Sequence, residues 1–277
     1  MSPTRIEWVT NPDGTKGETW NPVSGCTKVS AGCKNCYAER MAKRLAGRCG
    51  YPEAPHQFDV TLHPDRLEQP LHWRKPRTVF VCSMSDLFHE DVPFDYVDEI
   101  FGIMAEAPQH GFQLLTKRPE RAISYISDAN LSATNVETHL VWPLPNVWLG
   151  VTAENQATAD ERIPLLLETP AAVRFVSCEP LLGPVRFDYE DWDRTAEYME
   201  PKTYLRSYTI DNGARRMPGI DWVIVGAETG PGARPMHPDW ARDIRDQCQE
   251  AGVPFFFKKM SGRQPIPDDL QIREMPE

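Results

Sequence analysis

The chain has 277 residues, 40% of them hydrophobic and 25% charged, with 17 Gly and 26 Pro. That is the composition of a globular protein with a real core, and it excludes a collagen, a coiled coil and a disordered hub. The 30 Lys and Arg against 40 Asp and Glu leave a formal net charge of −10, which excludes a surface that coats itself in polyanion.

No apolar run reaches the roughly 18 residues a bilayer requires, and residues 1–8 lack the apolar stretch of a secretory leader. A cytoplasmic chain with no membrane partner is expected. Charge is uneven along it. Residues 1–50 hold eight Lys or Arg and four Asp or Glu, whereas residues 188–200 hold six acids and one Arg. A local basic site for an anionic small molecule or a nucleic acid survives this balance.

In chain order, a short strand is expected over 18–20, just before the densest chemistry in the sequence: Cys26-Thr-Lys-Val-Ser-Ala-Gly-Cys33-Lys-Asn-Cys36, a C-x6-C-x2-C array. The total of seven cysteines is odd, and an intracellular chain keeps its thiols reduced, so a disulfide framework is a poor reading. Thiolates are the ligands iron and zinc prefer, and a C-x2-C pair can place both sulfurs on one metal or cluster. Gly25 and Gly32 each precede a cysteine, where a loop folding round a cluster calls for positive φ. Cys26, Cys33 and Cys36 are therefore the candidate metal ligands.

Three readings of this array stand side by side: a [4Fe–4S] cluster on three cysteines with one iron open, a closed zinc site with Cys49 as fourth ligand, and buried thiols without metal. After Cys36 the pattern turns helical. Tyr37, Met41 and Leu45 recur with Ala38 and Ala42 as an apolar face, with Arg40, Lys43 and Arg44 outside. A mostly helical path from Cys36 to Cys49 spans roughly 20 Å, which weighs against zinc.

From residue 78 onward one pattern repeats: a short β-branched apolar run, a polar residue or two, then a helical stretch. Strands are expected over 78–84, 112–116, 147–152, 173–178, 222–226 and 253–257, and helices over 94–106, 119–128, 157–167 and 238–250. Strands alternating with helices imply parallel pairing with right-handed crossovers. No Gly-rich dinucleotide fingerprint follows a strand, which disfavours a doubly wound sheet. The expectation is an α/β fold, a partial or complete (β/α) barrel forming a single domain over 1–277. Within it, residues 20–48 form the cysteine loop and first helix. Residues 183–220 break the rhythm as an insertion or lid before the fifth clear strand, and residues 50–77 bridge the first helix to the strand at 78.

The strand ends carry polar groups: Ser83, Ser85 and Asp86; Thr116, Lys117 and Arg118; Thr152, Glu154 and Asn155; Glu179; Glu228 and Thr229; Lys258 and Lys259. In a barrel these ends share the rim where active sites are built. Glu179 and Glu228 are the candidate catalytic carboxylates, because each abuts an apolar run and needs a cation, a donor or a ligand to be tolerated there.

Three clustered cysteines before a helix and a (β/α) succession resemble the radical S-adenosylmethionine (SAM) enzymes. The array departs from their usual C-x3-C-x2-C in its first gap, which is six residues here. That resemblance implies a [4Fe–4S] cluster on Cys26, Cys33 and Cys36, with the open iron chelating SAM. Reductive cleavage of SAM would then start radical chemistry on a substrate. It also implies that Ser83, Ser85 and Asp86 meet the SAM amino group, that Lys117 or Arg118 pairs with its carboxylate, and that Glu154, Glu179 or Glu228 holds ribose hydroxyls or the substrate.

A closer resemblance runs through the whole chain. The block Trp20-Asn-Pro-Val-Ser-Gly-Cys-Thr-Lys-Val-Ser-Ala-Gly-Cys-Lys-Asn-Cys-Tyr-Ala-Glu39 is similar to an uncharacterised family of phage and prophage proteins with a three-cysteine motif. So are Ser83-Met-Ser-Asp-Leu-Phe88, Leu115-Thr-Lys-Arg-Pro119, Leu149-Gly-Val-Thr152, Ser177-Cys-Glu-Pro-Leu-Leu182 and Val225-Gly-Ala-Glu-Thr-Gly230. This resemblance implies a bacterial or phage-infected cell, a dedicated partner protein encoded nearby, and an unknown small-molecule or nucleic-acid substrate.

The chain lacks G-x-x-x-x-G-K-[ST], H-E-x-x-H and G-x-S-x-G, and no H-x-E precedes Cys33, so a P-loop nucleotidase, a zincin, an α/β-hydrolase and a zinc deaminase are disfavoured. Two rivals to the enzyme remain: a zinc-stabilised nucleic-acid-binding phage protein, and a non-catalytic iron–sulfur sensor.

Overall fold

A computed structural model describes residues 4–128, 142–189, 202–210, 215–262 and 264–276. Seven strands form one sheet: β1 (Glu18–Trp20), β2 (Thr78–Val81), β3 (Gly111–Thr116), β4 (Val147–Thr152), β5 (Val173–Cys178), β6 (Trp222–Val225) and β7 (Phe255–Phe257). Their order in the sheet is their order in the chain, with β1 and β7 as its edges. Pairing is parallel between β1 and β2, β2 and β3, β5 and β6, and β6 and β7. A doubly wound sheet would reverse order at a switch point; this unreversed succession is that of a partial (β/α) barrel.

The chain divides into two compact units, Met1–Gly150 with Thr169–Ala172, and Val151–Glu168 with Val173–Glu277. The first contains β1 to β3, most of β4, and helices α1 (Tyr37–Leu45), α2 (Phe94–Glu106) and α3 (Pro119–Asp128). Val79, Phe80 and Val81 of β2 are all buried, the continuous apolar run of a strand covered on both faces. Helix α2 buries Tyr96, Val97, Ile100, Phe101 and Met104 along one stripe. Trp20 is fully buried, with its ring 5.9 Å from that of Phe112, and its indole N–H donates to the carbonyl of Arg66 at 2.8 Å. Burying one such side chain stabilises by about 1.5–3 kcal/mol, provided its polar handle keeps a partner.

The second unit contains α4 (Gln156–Glu168), β5, β6, α5 (Pro238–Ala251) and β7. Its core is Phe175, Trp222, Phe255 and Phe257, each fully buried. Helix α5 starts with Pro238 in its first turn and ends on Gly252 at φ 71, the residue preferences of a helix that needs no N–H at its start and a left-handed residue at its end. Of the insertion expected over 183–220, residues 190–201 and 211–214 lie outside the described residues. The described part carries two short antiparallel ribbons, Asp188–Tyr189 with Lys202–Thr203 and Tyr208–Ile210 with Arg215–Met217.

Three expected strands shorten, that over 222–226 by one residue and two others by more, for local reasons. The first clear strand stops at Val81 because Cys82 adopts a left-handed backbone, φ 58. The last starts at Phe255, after Pro254, which has no N–H to give a ladder. Among the described residues no helix is long and apolar enough to cross a membrane.

Candidate functional site

The cysteine loop leaves β1 through Asn21 and is wrapped against the turn after β2. Asn21 Oδ1 accepts from Ser83 Oγ at 3.1 Å and from the Met84 N–H at 3.0 Å. Gly25 pairs with Ser85 as a parallel bridge: its N–H donates to the Met84 carbonyl at 3.0 Å, and Ser85 Oγ donates to the Gly25 carbonyl at 2.6 Å. Cys82 makes this possible. Its left-handed backbone, a conformation that costs a non-glycine residue roughly 1–2 kcal/mol, is held by its N–H to the Trp20 carbonyl at 2.8 Å.

Gly25 has the positive φ expected of it, 87, and a Cβ there would collide with the Asp59 carbonyl. Gly32 does not; it lies in a 3-10 turn, Ala31–Cys33, with helical backbone. Helix α1 then begins directly after Cys36. Its buried face is Ala38 and Ala42, packed on Tyr51 and Met84, with Met41 and Leu45 half in. Tyr37, expected on that face, is 61% exposed, because the small alanines bring the helix in on a narrower stripe.

Arg118 ties this loop to the ends of β2 and β3. The residue is buried, and its guanidinium donates in four directions: Nε to Glu90 Oε2 at 3.0 Å, Nη1 to Asp86 Oδ2 at 3.4 Å and to Cys26 Sγ at 3.5 Å, and Nη2 to Thr27 Oγ1 at 2.8 Å. Asp86, also buried, accepts in addition from Thr116 Oγ1 at 2.7 Å, the Lys117 N–H at 2.9 Å and the Phe88 N–H at 3.1 Å. A buried carboxylate is tolerated when its lone pairs are filled in this way.

His89 completes the network. It is fully buried, and its Nδ1 accepts from the Asp91 N–H at 3.1 Å. The proton of the neutral ring therefore sits on Nε2, which donates to Thr27 Oγ1 at 2.8 Å. Burial, helped by the Arg118 charge, lowers its pKa and keeps it neutral.

The thiols differ. Burial and the neighbouring Asp86 charge push Cys26 up to about 11, with Arg118 acting the other way. Burial also acts to raise Cys33, yet backbone hydrogen bonds at Val29 and Ser30 and the charge of Lys117 outweigh it and hold that thiol below its ordinary value. Lys28 and Lys117 act electrostatically on this group, Lys28 with Cys33 and Cys36 and Lys117 with Cys33. The remaining cysteines divide: Cys82, Cys178 and Cys248 are buried with their thiols pushed well up by burial, and Cys49 is exposed.

The donor chemistry fits a thiolate-ligated group, with three partly buried sulfurs on one loop and cations beside them. Among the described residues, however, no three His, Cys, Asp or Glu side chains are gathered closely enough to hold a metal ion. Ligation therefore requires the loop to draw its sulfurs together.

The second unit places Glu154, Glu179 and Glu228, and each meets a cation. Glu154 and Arg162 are both fully buried, with Oε2 accepting from Nη1 at 3.2 Å. The Glu228 carboxylate takes Arg234 in a fork, Oε2 from Nε at 2.9 Å and Oε1 from Nη2 at 2.5 Å, and also accepts the Arg234 N–H at 2.8 Å. Glu179, whose bond to Pro180 is cis, accepts from Lys258 Nζ at 2.5 Å. That pair closes over Gly226, just past β6, where a Cβ would come within 3.3 Å of both side chains. The Glu179–Lys258 pair is the accessible one on the carboxylate side, with side chains 20% and 12% exposed, against 0% for Glu154 and 5% for Glu228.

The expected residues thus fall into two sets. Cys26, Asp86 and Arg118 come into direct contact, Ser85 joins through the Gly25 carbonyl, Lys117 through its backbone N–H and Ser83 through Asn21, with Cys33 and Cys36 further along the same loop. Glu154, Glu179 and Glu228 lie in the second unit, each with its own cation. Thr27 carries no signal in the sequence, and the His89-Glu90 pair, which reads there as loop surface, instead joins the network with His89 fully buried.

No curated protein and no solved structure matches the chain. A family match does cover nearly all of it, residues 3–269, and the chain belongs to that family, described as Protein of unknown function (DUF5131).

Proposed function

We propose that the chain is an iron–sulfur enzyme, with the cluster on Cys26, Cys33 and Cys36, that uses S-adenosylmethionine as cosubstrate. The observation that carries this reading is the cysteine loop itself: three partly buried thiols on one wrapped segment, with Arg118 donating to the sulfur of Cys26 and Lys117 acting on Cys33. Hydrogen bonds and cations at ligand sulfurs stabilise a thiolate-bound cluster and set its potential. With only three protein ligands, such a cluster supplies electron transfer and an open iron for the amino-acid end of SAM.

In this reading the chain's own groups divide the work. Asp86, Ser85 and Arg118 hold the loop in register rather than touching the cosubstrate, since their polar atoms already have partners in the loop or at the end of β3. Lys117 supplies positive charge beside Cys33, and Ser83 fixes the turn through Asn21. Within the second unit, Glu179 is the carboxylate best suited to bind a hydroxyl of a ligand, because its pair with Lys258 is part-exposed and can exchange partners. Glu228 is the second such carboxylate, while Glu154 is locked on Arg162.

The test is turnover. Protein reconstituted without oxygen is given SAM and dithionite as the low-potential electron donor, and 5′-deoxyadenosine and methionine are followed. Formation of both, lost in Cys33→Ala, supports the reading. A loaded cluster that leaves SAM intact overturns the enzyme in favour of an iron–sulfur sensor, and zinc without iron overturns it in favour of a zinc-stabilised nucleic-acid-binding protein.

A further inference from the structure

The large hydrophobic side chains that stand exposed among the described residues are Val29, at 47%, and Tyr37, at 61%. Both belong to the cysteine segment, Val29 between Cys26 and Cys33 and Tyr37 directly after Cys36. The same segment is the basic part of an acidic chain: residues 26–48 carry six Lys or Arg and a single acid, Glu39, whereas the whole chain has a net charge of −10. Lys28, Lys34, Lys43, Arg44 and Arg48 are exposed. Glu39 pairs with Lys28 at 2.9 Å and with Lys43 at 3.3 Å, holding two ammonium groups at one place on α1.

Helix geometry orders these groups. Tyr37, Arg40 and Arg44 stand at i, i+3 and i+7, one stripe of α1, turned away from the buried Ala38 and Ala42. An exposed ring therefore sits at the end of the stripe nearest the cysteines, with positive charge running away from it. Repulsion from the acidic remainder leaves a polyanion this face on which to land.

We propose that this face docks single-stranded nucleic acid, with phosphates on Lys34, Lys43 and Arg44 and an unstacked base on the ring of Tyr37. Single strands are favoured over duplex because only they offer a free base face to an exposed ring. An acidic protein segment would use the charges and leave the ring without a planar partner. The inference deepens the proposed function by naming the substrate class, and it rests on that reading only for the chemistry after docking.

The experiment is fluorescence anisotropy of labelled single-stranded DNA and RNA, and of a matched duplex, with the full chain before and after iron and sulfide are loaded. Single strands bind more tightly than duplex, and affinity falls with salt at a slope of about −0.7 per phosphate contacted. Tyr37→Ala weakens binding on the order of tenfold while Tyr37→Trp retains it. The double variant Lys34→Glu, Arg44→Glu weakens binding and flattens the salt slope. These side chains are exposed, and an unchanged circular dichroism melt confirms that each variant folds.

No single-strand binding at low salt, binding indifferent to Tyr37→Ala, equal affinity for duplex, or binding only to an acidic peptide each overturns the proposal. Iron loading without strand binding sinks this inference alone. Strand binding without iron loading sinks the cluster alone.

Discussion

The guanidinium of Arg118 donates to the sulfur of Cys26 at 3.5 Å, joining residues 92 positions apart. The same group reaches Asp86, Glu90 and Thr27, so one buried cation holds the cysteine loop on the ends of β2 and β3. Removing it strands the Asp86 carboxylate, and breaking a buried charged pair costs about 3–5 kcal/mol. Arg118→Ala should lower the urea midpoint accordingly. Arg118→Lys keeps the charge without the fork; it should recover part of the stability yet change the absorption and paramagnetic signature of the reconstituted protein. An Arg118→Ala chain as stable as the parent would refute the clamp.

Gly25 sits at φ 87 with the Asp59 carbonyl where a Cβ would stand. Gly25→Ala should therefore destabilise by about 2 kcal/mol or more, strain and collision acting together. Gly32→Ala, in helical backbone, should cost less. Thermal melts of the two variants compare these sites directly, and equal losses would contradict the wrapped loop.

His63 is buried against Ser24, its Nε2 2.7 Å from the hydroxyl, and burial together with the Arg66 charge lowers its pKa to about 4. The unfolded ring titrates near 6.5, so between pH 6.5 and about 4 the unfolded chain binds the extra proton and stability falls as pH falls. The loss amounts to roughly 2–3 kcal/mol across that window. Denaturant unfolding at a series of pH values should show this slope in the parent and a shallower one in His63→Gln. Parallel slopes would assign the acid sensitivity elsewhere.

The carboxylate pairs of the second unit should separate by stability. Glu154→Ala leaves buried Arg162 with only the exposed Glu161, at 3.9 Å, as counter-charge, at a cost of about 3 kcal/mol. Lys258→Ala breaks a pair that water can reach and should cost under about 1 kcal/mol. A Glu179–Lys258 pair that binds a ligand of its own unit predicts that Lys258→Ala impairs turnover while the melt barely moves. The reverse pattern, a large melt shift with turnover intact, would make that pair structural.

Much of the scaffold is legible in the chain. The helix over 94–106 and the strands over 147–152 and 173–178 match their observed bounds, because period-3.6 and all-apolar runs are local signals that tertiary context reinforces. The decisive partners are not local. Arg162 and Arg234 stand only eight and six residues from Glu154 and Glu228, but Lys258 reaches Glu179 from 79 residues away, and Thr27 meets His89 only because the wrapped loop crosses the β2 turn. Tyr37 misleads for a similar reason: periodicity places it beside an apolar face, but whether that face is wide enough to include it depends on what packs there.

The proposed function makes the wrapped loop a cluster ligand set. The decisive measurement is iron, sulfide and zinc per chain after oxygen-free reconstitution of the parent and of Cys26→Ala, Cys33→Ala, Cys36→Ala and Cys49→Ala. About four irons with matching sulfide are expected, lost in the first three variants and kept in Cys49→Ala. One zinc with no iron, or iron that survives Cys33→Ala, would contradict it.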